Sequence, residues 1–136
     1  MAQLFQVSEA ASLALHAGLL LARAGDAPVP VSELARRLKV SRAHLAKVLQ
    51  ALERAGLVQG TRGPAGGYRL ARPANKTTLR QVYEAVAGPL ANGRCVFGVP
   101  ACDGNGCPLG GFTRGLAGRV ITKLDRTRLS DVKVRL

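Results

Sequence analysis

Residues 41–68 decide the fold, and they read SRAHLAKVLQALERAGLVQGTRGPAGGY. The first half predicts a helix that Ser41 caps at its start and Gly56 ends. Apolar residues recur at helical spacing along one side of this helix, and they are Leu45, Val48, Leu49 and Leu52. The other side carries polar and basic side chains. The segment therefore predicts an amphipathic helix with one buried side and one side that can contact a partner.

The second half of this stretch predicts a β-hairpin. Leu57–Gln59 and Tyr68–Leu70 are short strand candidates, and residues 60–67 between them are too rich in glycine for anything but a hairpin loop. Two short helices followed by a basic two-stranded hairpin form the arrangement in which the second helix enters a major groove of DNA. The stretch therefore predicts a winged helix-turn-helix.

Two helices are predicted upstream of this stretch. Ser8 can cap a helix that runs through residues 9–24, where apolar residues recur at helical spacing. Residues 27–30 form a turn-prone linker, after which Ser32 is predicted to cap a short helix over Glu33–Leu38. This short helix is the scaffold helix of the helix-turn-helix.

Downstream, a fourth helix over Leu79–Ala87 is predicted to precede a long loop, Pro89–Pro108, that carries the cysteines. A fifth helix is predicted over Phe112–Leu124, and Arg126–Leu136 stays unassigned between helix and strand. The fifth helix has one apolar side that a lone domain leaves uncovered, consisting of Leu116, Val120, Ile121 and Leu124.

These elements predict a mainly α fold, a winged helix-turn-helix with a small β-hairpin wing and a long helix after the cysteine loop. A chain of 136 residues has little length for a second independent core. We therefore expect three consecutive parts. They are a DNA-binding domain over residues 1–88, a cysteine-containing loop over residues 89–108, and a long helix with a tail over residues 109–136.

The charge of the chain favours a nucleic acid as its partner. Twenty Lys and Arg against eight Asp and Glu give a net charge of +12. Residues 32–80 carry eleven Lys and Arg against two acids, so +9 of this charge is concentrated in the predicted reading region. A solvated basic face on a helical domain is the alternative interpretation. Caps, charge and wing agree with one another, which favours binding to double-stranded DNA.

Other classes of protein fit the sequence less well. The longest apolar stretch, residues 10–24, is interrupted by polar residues and is shorter than the roughly 20 residues that span a bilayer. It also lacks the features of a signal peptide, so we expect a cytoplasmic protein without a membrane partner. No Gly-rich phosphate loop or acid–base pair is present, and His16 and His44 are the only histidines. We therefore expect no enzyme and no small-molecule substrate, and a small electron carrier is a remaining alternative.

The start of the helix that follows Ser41 is the predicted reading surface. Arg42 can reach a guanine, and Ser41, His44 and Lys47 can reach bases or phosphates. Contacts to phosphates supply affinity that does not depend on sequence, whereas contacts to base edges supply specificity.

The wing residues carry a resemblance to a known family. Residues 62–68, RGPAGGY, closely resemble the wing motif of the winged-helix regulators that include IscR, NsrR and RirA, and residues 45–58 and 8–16 also resemble them. The resemblance implies a homodimer on a palindromic operator, with the helix after the cysteine loop crossing against its partner. Residues 89–108 would then be a sensor loop, and residues 109–136 a dimerisation helix and C-terminal tail. It also implies that Arg62 enters the minor groove, and that Gly66 and Gly67 allow close approach of the backbone.

The cysteines follow the pattern C-x6-C-x4-C at Cys95, Cys102 and Cys107. Three thiolates in one loop can surround a single inorganic centre, but they are one ligand short of the usual four, so a fourth side chain or an exogenous ligand must complete the site. The family resemblance implies a [2Fe-2S] or [4Fe-4S] cluster here, although the usual spacing in the family is nearer five and five. Zinc, a thiol–disulfide switch, a partner protein and idle cysteines remain alternatives.

The fourth ligand has two candidates. Some relatives place a histidine three residues after the last cysteine, where this chain has Gly110. Other relatives take an acid or a histidine from the first helix of the partner subunit, and here Glu9, Ser12 and His16 lie on one helical stripe. Glu9 and His16 are therefore the candidates. Alternatively, Glu9 is an acid favoured by the helix dipole and His16 is a partly buried histidine with its hydrogen bonds satisfied.

Overall fold

A computed structural model describes residues 7–91, 95, 102–133 and 135 of the chain. Five α-helices and one antiparallel hairpin follow one another. Their bounds are α1 Glu9–Ala24, α2 Val31–Leu38, α3 Arg42–Arg54, β1 Val58–Thr61, β2 Gly67–Leu70, α4 Leu79–Ala87 and α5 Gly110–Arg126. Two short 3₁₀ turns, Ala74–Lys76 and Leu129–Asp131, complete the order. This is the predicted mainly helical fold with a small hairpin.

Side chains cap three of the helices. The Ser8 hydroxyl oxygen accepts a hydrogen bond from the Ala11 N–H at 3.2 Å, and Ser41 accepts one from the His44 N–H at 3.1 Å. Both predicted caps are confirmed. Thr78 caps α4 through a reciprocal capping box with Gln81, in which each side chain accepts from the other residue's backbone N–H. These caps fix where α1, α3 and α4 begin.

The predicted cap of α2 was wrong. The helix begins at Val31, and Pro30 occupies the capping position without a side-chain hydrogen bond. Pro30 suits this position because its fixed φ of −59° and its missing N–H cost nothing before the first helical turn. Ser32 lies inside the first turn and is exposed.

The hairpin also extends further than predicted. Gly60, Thr61 and Gly67 belong to the strands, which pair in the register Val58↔Leu70 through Thr61↔Gly67. Leu57 precedes β1, and its N–H donates to the Leu52 carbonyl at the end of α3. Glycine composition concealed these strand residues because it normally marks a loop.

The core lies between the helices and under the base of the hairpin. The predicted inward residues of α3 are all buried: Leu45, Val48, Leu49 and Leu52. Residues of α1, α2 and α4 complete the centre of this core: Ala14, Ala17, Leu20, Leu21, Leu34 and Val82. Leu129, from the segment that the sequence left unassigned, is also buried in it, and its N–H donates to the Thr77 carbonyl at 2.9 Å. Burial of this apolar surface is the main stabilising term of the fold.

Helix α5 contrasts with the others because none of its residues is buried. The predicted apolar side is divided in the structure, with Ile121 and Leu124 half-buried while Val120 is 48% exposed. Leu109 and Phe112, just before and inside the start of the helix, are 50% and 69% exposed. An apolar stripe along α5 is therefore left uncovered by the residues that the structure describes. In the part of the chain that the structure describes, no helix is long and apolar enough to cross a membrane.

Candidate nucleic-acid interface and cysteine segment

The outer side of α3 carries the predicted reading residues. Arg42 and Lys47 are exposed, and His44 is half-buried. The hydroxyl oxygen of Ser41 is already engaged in capping the helix, so its hydroxyl hydrogen is what remains for a partner. The inner side of α3 is in the core, so the orientation of these side chains is fixed by packing. The result is a basic surface at the N-terminal half of α3.

The turn between α2 and α3 depends on a residue that the sequence did not single out. Lys39 adopts a left-handed conformation, φ 56° and ψ 43°, and its N–H reaches the carbonyls at the end of α2. The next residue, Val40, donates to the Ala35 carbonyl at 3.1 Å. A left-handed residue after a helix normally is glycine, so no local signal indicated this one. Lys39 closes α2 and sets the direction from which α3 departs.

The wing presents Arg62 beyond the end of β1. Arg62 is exposed, and the turn that follows it is closed by a hydrogen bond from the Gly66 N–H to the Gly63 carbonyl at 2.9 Å. Gly63 has a φ of +104°, which favours glycine. At the base of the hairpin, the Arg69 guanidinium donates to the Gln59 side chain across the strands at 3.1 Å. The wing therefore has an ordered base and a cation at its tip.

Gly66 and Gly67 are required by the space around them. A Cβ atom at Gly66 would overlap the Thr61 carbonyl oxygen, and one at Gly67 would overlap the Val29 carbonyl. Gly67 also has a φ of +149°, which side chains rarely adopt. Because the overlapped atoms are backbone, no rotation of a side chain can relieve the contact. Gly66 therefore allows the wing to close its own tight turn, and Gly67 allows the wing to lie against the linker before α2.

The wing is tied to the linker before α2. The N–H of Val29 donates to the Tyr68 carbonyl at 2.8 Å, and the N–H of Tyr68 donates to the Val29 carbonyl at 2.9 Å. Val29 thus extends the hairpin by one bridge. A signal for this contact exists in the sequence, because a residue before proline favours extended backbone, and Val29 precedes Pro30. The sequence reasoning treated the segment only as a linker.

The two candidate fourth ligands lie on the same side of α1. Glu9 and His16 are exposed, and with Ser12 they border one open groove of about 420 Å³. The His16 ring donates from Nδ1 to the Ser12 carbonyl at 2.7 Å, which leaves Nε2 accessible. Glu9 Oε1 lies 3.7 Å from Nδ1 of His44 in α3. One candidate ligand therefore contacts the reading helix directly.

Glu84 joins α4 to the start of the segment that leads to the cysteines. One carboxylate oxygen accepts hydrogen bonds from the Leu90 N–H at 2.9 Å and from Nε of Arg80 at 3.0 Å. Arg80 Nη1 also lies 3.8 Å from a carboxylate oxygen of Asp125 in α5. The Leu90 N–H, and after it the Arg80 side chain, hold the pKa of Glu84 below its ordinary value. The Glu84 carboxylate therefore links α4 to Leu90 directly, and its partner Arg80 links α4 to α5.

Comparison with known proteins agrees with this geometry. The model of the family described as "Rrf2: Iron-dependent Transcriptional regulator" matches residues 7–134. The chain belongs to the Rrf2 family. This confirms the predicted family of winged-helix regulators, and the chain is a transcriptional regulator and not an enzyme.

Relatives of this Rrf2 regulator include two proteins named HTH-type transcriptional regulator IscR. The one from Cereibacter sphaeroides is 33% identical over 116 residues, which cover 83% of this chain and 75% of that protein. The one from Aliivibrio salmonicida is 30% identical over 131 residues, which cover 96% of this chain and 73% of that protein.

Solved structures confirm the winged-helix fold. CymR of B. subtilis superposes with a TM-score of 0.79 at 23% identity, and covers 94% of this chain and 95% of its own. The IscR of T. potens superposes with a TM-score of 0.73 at 25% identity, and covers 93% of this chain and 85% of its own.

The cysteines of this Rrf2 chain offer the donors that an iron–sulfur cluster needs. Cys95, Cys102 and Cys107 are free and exposed, and thiolates are the usual ligands of such clusters. Cys107 lies at a turn before α5, where its N–H donates to the Gly104 carbonyl at 3.4 Å. Among residues 7–91, 95, 102–133 and 135, no three His, Cys, Asp or Glu side chains gather into a metal site. Residues 92–94 and 96–101 of the predicted cysteine loop lie outside the described residues. The donor chemistry of the three cysteines fits such a cluster.

Proposed function

We propose that this chain forms a homodimer that reads a palindromic operator and senses redox state, nitric oxide or iron supply through a [2Fe-2S] or [4Fe-4S] cluster on Cys95, Cys102 and Cys107. The reading head, residues 7–88, contacts DNA, and the sensor arm, residues 89–126, holds the cluster and the partner subunit. Acting on chromosomal DNA, the protein would work in the cytoplasm. The observation that carries the proposal is that a complete winged-helix reader is joined to three free, exposed cysteines.

The reading role rests on the position of the cations. Arg42 and Lys47 lie on the exposed side of α3, and Arg62 lies at the tip of the wing. In winged-helix proteins the second helix enters the major groove, where Arg pairs with guanine and Lys with guanine or phosphate. A wing arginine beside glycines suits the minor groove, whose narrow forms attract cations. His44 and Ser41 then contribute hydrogen bonds at the start of α3.

The homodimer rests on the uncovered stripe of α5. Leu109, Phe112, Leu116 and Val120 follow one another at spacings of three and four residues, which place them on one side of the helix. Two of them are half or more exposed in the single chain. A second copy of α5 packed against this stripe would remove it from water. A symmetric contact between two α5 helices also places two reading heads on two half-sites of one operator.

The fourth ligand is proposed to come from α1 of the partner, as either Glu9 or His16. Three cysteine thiolates of one chain leave one ligand position open. Both candidates border an exposed groove, so a partner's cysteine segment can reach them. When bound, the cluster supplies a centre that oxidants and nitric oxide can modify.

If Glu9 is a ligand of the cluster, it couples the cluster to the reading helix through its contact with His44. Its carboxylate lies 3.7 Å from His44, and only one residue separates His44 from Arg42. A carboxylate that moves away from His44 removes a contact at the start of α3. A change in the conformation of residues 89–108 would also shift the α5 helices and the separation of the reading heads. A few kcal/mol of differential stability between two dimer arrangements suffices for this coupling.

The reading role is tested by selection of duplexes from a random pool with the anaerobically purified protein. We expect a palindromic consensus, and we expect Arg42→Ala to lose about 1–3 kcal/mol of affinity for the selected duplex with relaxed specificity at one position of each half-site. Arg119→Ala, which removes the same charge from α5, is the control and should keep the consensus. A pool that gains no consensus contradicts the proposed function.

Exposure of the three free thiols favours a second candidate, a regulator of the same fold that responds through thiol oxidation without a cluster. Zinc held by the same thiolates is a variant of it. Metal and sulfide content distinguishes these cases, because only a cluster contains inorganic sulfide. Thiol counts before and after mild peroxide then separate the oxidation switch from zinc.

A further inference from the structure

We propose that Glu53 is the positioning residue of the wing: its carboxylate, at the end of the reading helix, holds the Gly60 N–H at the base of the hairpin and so sets the orientation of Arg62. Glu53 Oε1 accepts this hydrogen bond at 2.9 Å across seven residues of chain. The inference rests on the proposed reading function, and it assigns a role to an acid that does not itself contact DNA.

The hydrogen bond from Gly60 to Glu53 lies at one cross-strand pair of the hairpin, and we call this pair the rung. Gly60 pairs with Tyr68 across the strands. Tyr68 uses both of its outward backbone groups on Val29, at 2.8 and 2.9 Å. Gly60 directs its N–H to the opposite edge, where Glu53 accepts it. The same rung is therefore tied to the helical domain from both sides, through the linker before α2 and through the end of α3.

Two side chains pack closely around Gly60, and a larger residue there would have to displace them slightly. A Cβ atom there would lie 3.2 Å from the Glu53 carboxylate and 3.2 Å from the Tyr68 ring. Burial, and after it the Glu53 charge, raises the pKa of Tyr68, which agrees with a carboxylate held near the ring. Two residues beyond this rung, Arg62 leaves the strand. A small rotation at the rung is therefore carried to the wing tip.

The charge of Glu53 makes a purely solvated role a poor explanation. Residues 32–80 contain eleven Lys and Arg and only two acids, Glu33 and Glu53. Glu33 is paired with Arg36 at 2.8 Å. Glu53 instead accepts a backbone N–H on the side of the molecule that carries α3 and the wing. An acid there repels phosphates, so a cation or a neutral residue would increase affinity for any DNA. Holding the wing gives the carboxylate a compensating role.

Three variants separate the reach of the side chain from its charge. Glu53→Gln keeps the length and an acceptor oxygen but loses the charge. Glu53→Asp keeps the charge but is one methylene shorter, so it no longer reaches Gly60. Glu33→Ala is the matched control, because it removes the other acid of the segment without touching the wing. All the substituted positions lie outside the core, so the variants should fold.

The first measurement is amide hydrogen exchange of Gly60 in the full chain without DNA. We expect exchange about tenfold faster in Glu53→Asp, and within threefold of the original protein in Glu53→Gln and Glu33→Ala. The second measurement is the ratio of affinities for the selected duplex and for a scrambled duplex of the same composition. We expect this ratio to fall about tenfold in Glu53→Asp only, while the affinity of Glu53→Gln for the scrambled duplex rises.

The outcomes separate this inference from the proposed function. An original protein that binds both duplexes equally removes the reading function, and the role of Glu53 with it. An original protein with a clear preference that Glu53→Asp retains in full overturns the positioning role alone, even if Gly60 exchange is faster. Equal loss of preference in Glu33→Ala, which does not touch the wing, would show that the effect does not depend on the contact with Gly60 and would overturn the positioning role as well.

Discussion

The reading head and the sensor arm of this Rrf2 regulator are built in opposite ways. In the reading head, residues 7–88, the helices share a buried core and two wing glycines are fixed by contact with backbone. In the sensor arm, residues 89–126, no described residue is buried, and the cysteines are free and exposed. The difference teaches that one chain suffices to build the reader. The sensor, in our account, is completed by a second chain and a bound cluster.

Removal of a core side chain should have the largest effect. Leu49 is completely buried in α3, so Leu49→Ala should lower the free energy of unfolding of the reading head by about 2–5 kcal/mol. Leu49→Met, which conserves volume, is the control and should cost less than about 1.5 kcal/mol. Urea unfolding measures both. A similar small loss in the two variants would show that α3 is not packed as described.

Glycine substitutions sharpen the comparison because they should have opposite effects in the two regions. Gly67→Ala should cost about 1–3 kcal/mol, since its Cβ would overlap the Val29 carbonyl and its φ disfavours a side chain. Gly115→Ala in α5 meets nothing within 4 Å and should gain up to about 1 kcal/mol from helix propensity. Thermal and urea unfolding check the signs. If Gly67→Ala and Gly115→Ala both destabilised the protein, the expected contrast between a closely packed reading head and an open α5 would be wrong.

A charge on the uncovered stripe of α5 should separate the subunits without unfolding the reader. Val120→Asp places a carboxylate on the stripe that we propose as the dimer contact, so the dimer dissociation constant should rise at least tenfold, or about 1.4 kcal/mol. Thr122→Asp introduces the same charge on another side of α5 as a control. Sedimentation equilibrium measures the constant. An unchanged dimer in Val120→Asp would place the contact elsewhere.

Removal of the Glu84 carboxylate, which links the reading head to the start of the sensor arm, should have the smallest effect on stability. Glu84→Ala removes the hydrogen bonds to Leu90 and Arg80, which should cost about 1 kcal/mol at neutral pH. Because folding lowers the pKa of Glu84, this stabilisation is present above its ordinary value of 4.5 and is lost as the pH falls through the lowered pKa.

The stability difference between Glu84→Ala and the original protein should therefore shrink in acid. Urea unfolding at pH 7 and below pH 4 measures it. Glu33→Ala, which breaks an exposed ion pair within one helix, should show a smaller difference at pH 7. A difference for Glu84→Ala that grows in acid would contradict the assignment.

Sequence periodicity predicted most of the reading head. Leu45, Leu49 and Leu52 recur at the spacing of a buried helix side, and Ser8 and Ser41 cap their helices as hydroxyl residues commonly do. These signals are local, so one sequence is enough to read them. The predicted cap at Ser32 was wrong because α2 begins earlier, at Val31, so that Pro30 occupies the capping position and Ser32 lies inside the first turn.

Contacts between distant segments could not be predicted in the same way. The hydrogen bonds from Gly60 to Glu53 and from Leu90 to Glu84 use backbone N–H groups, which every residue except proline has. The left-handed Lys39 gives no local signal either, since glycine is the usual residue there. For the cluster site that we propose, the cysteine pattern names the donors, but their arrangement would depend on a metal and on a partner subunit that one sequence does not contain.

The central claim is that the sensor arm holds an iron–sulfur cluster, and anaerobic purification tests it most directly. Visible absorption, iron and inorganic sulfide should be measured for the full chain and for Cys95→Ala, Cys102→Ala and Cys107→Ala. We predict a brown protein with iron and sulfide in equal amounts, and loss of colour in each variant with the winged-helix fold retained. A colourless, iron-free original protein would contradict the cluster sensor and leave the reading head as a regulator without one.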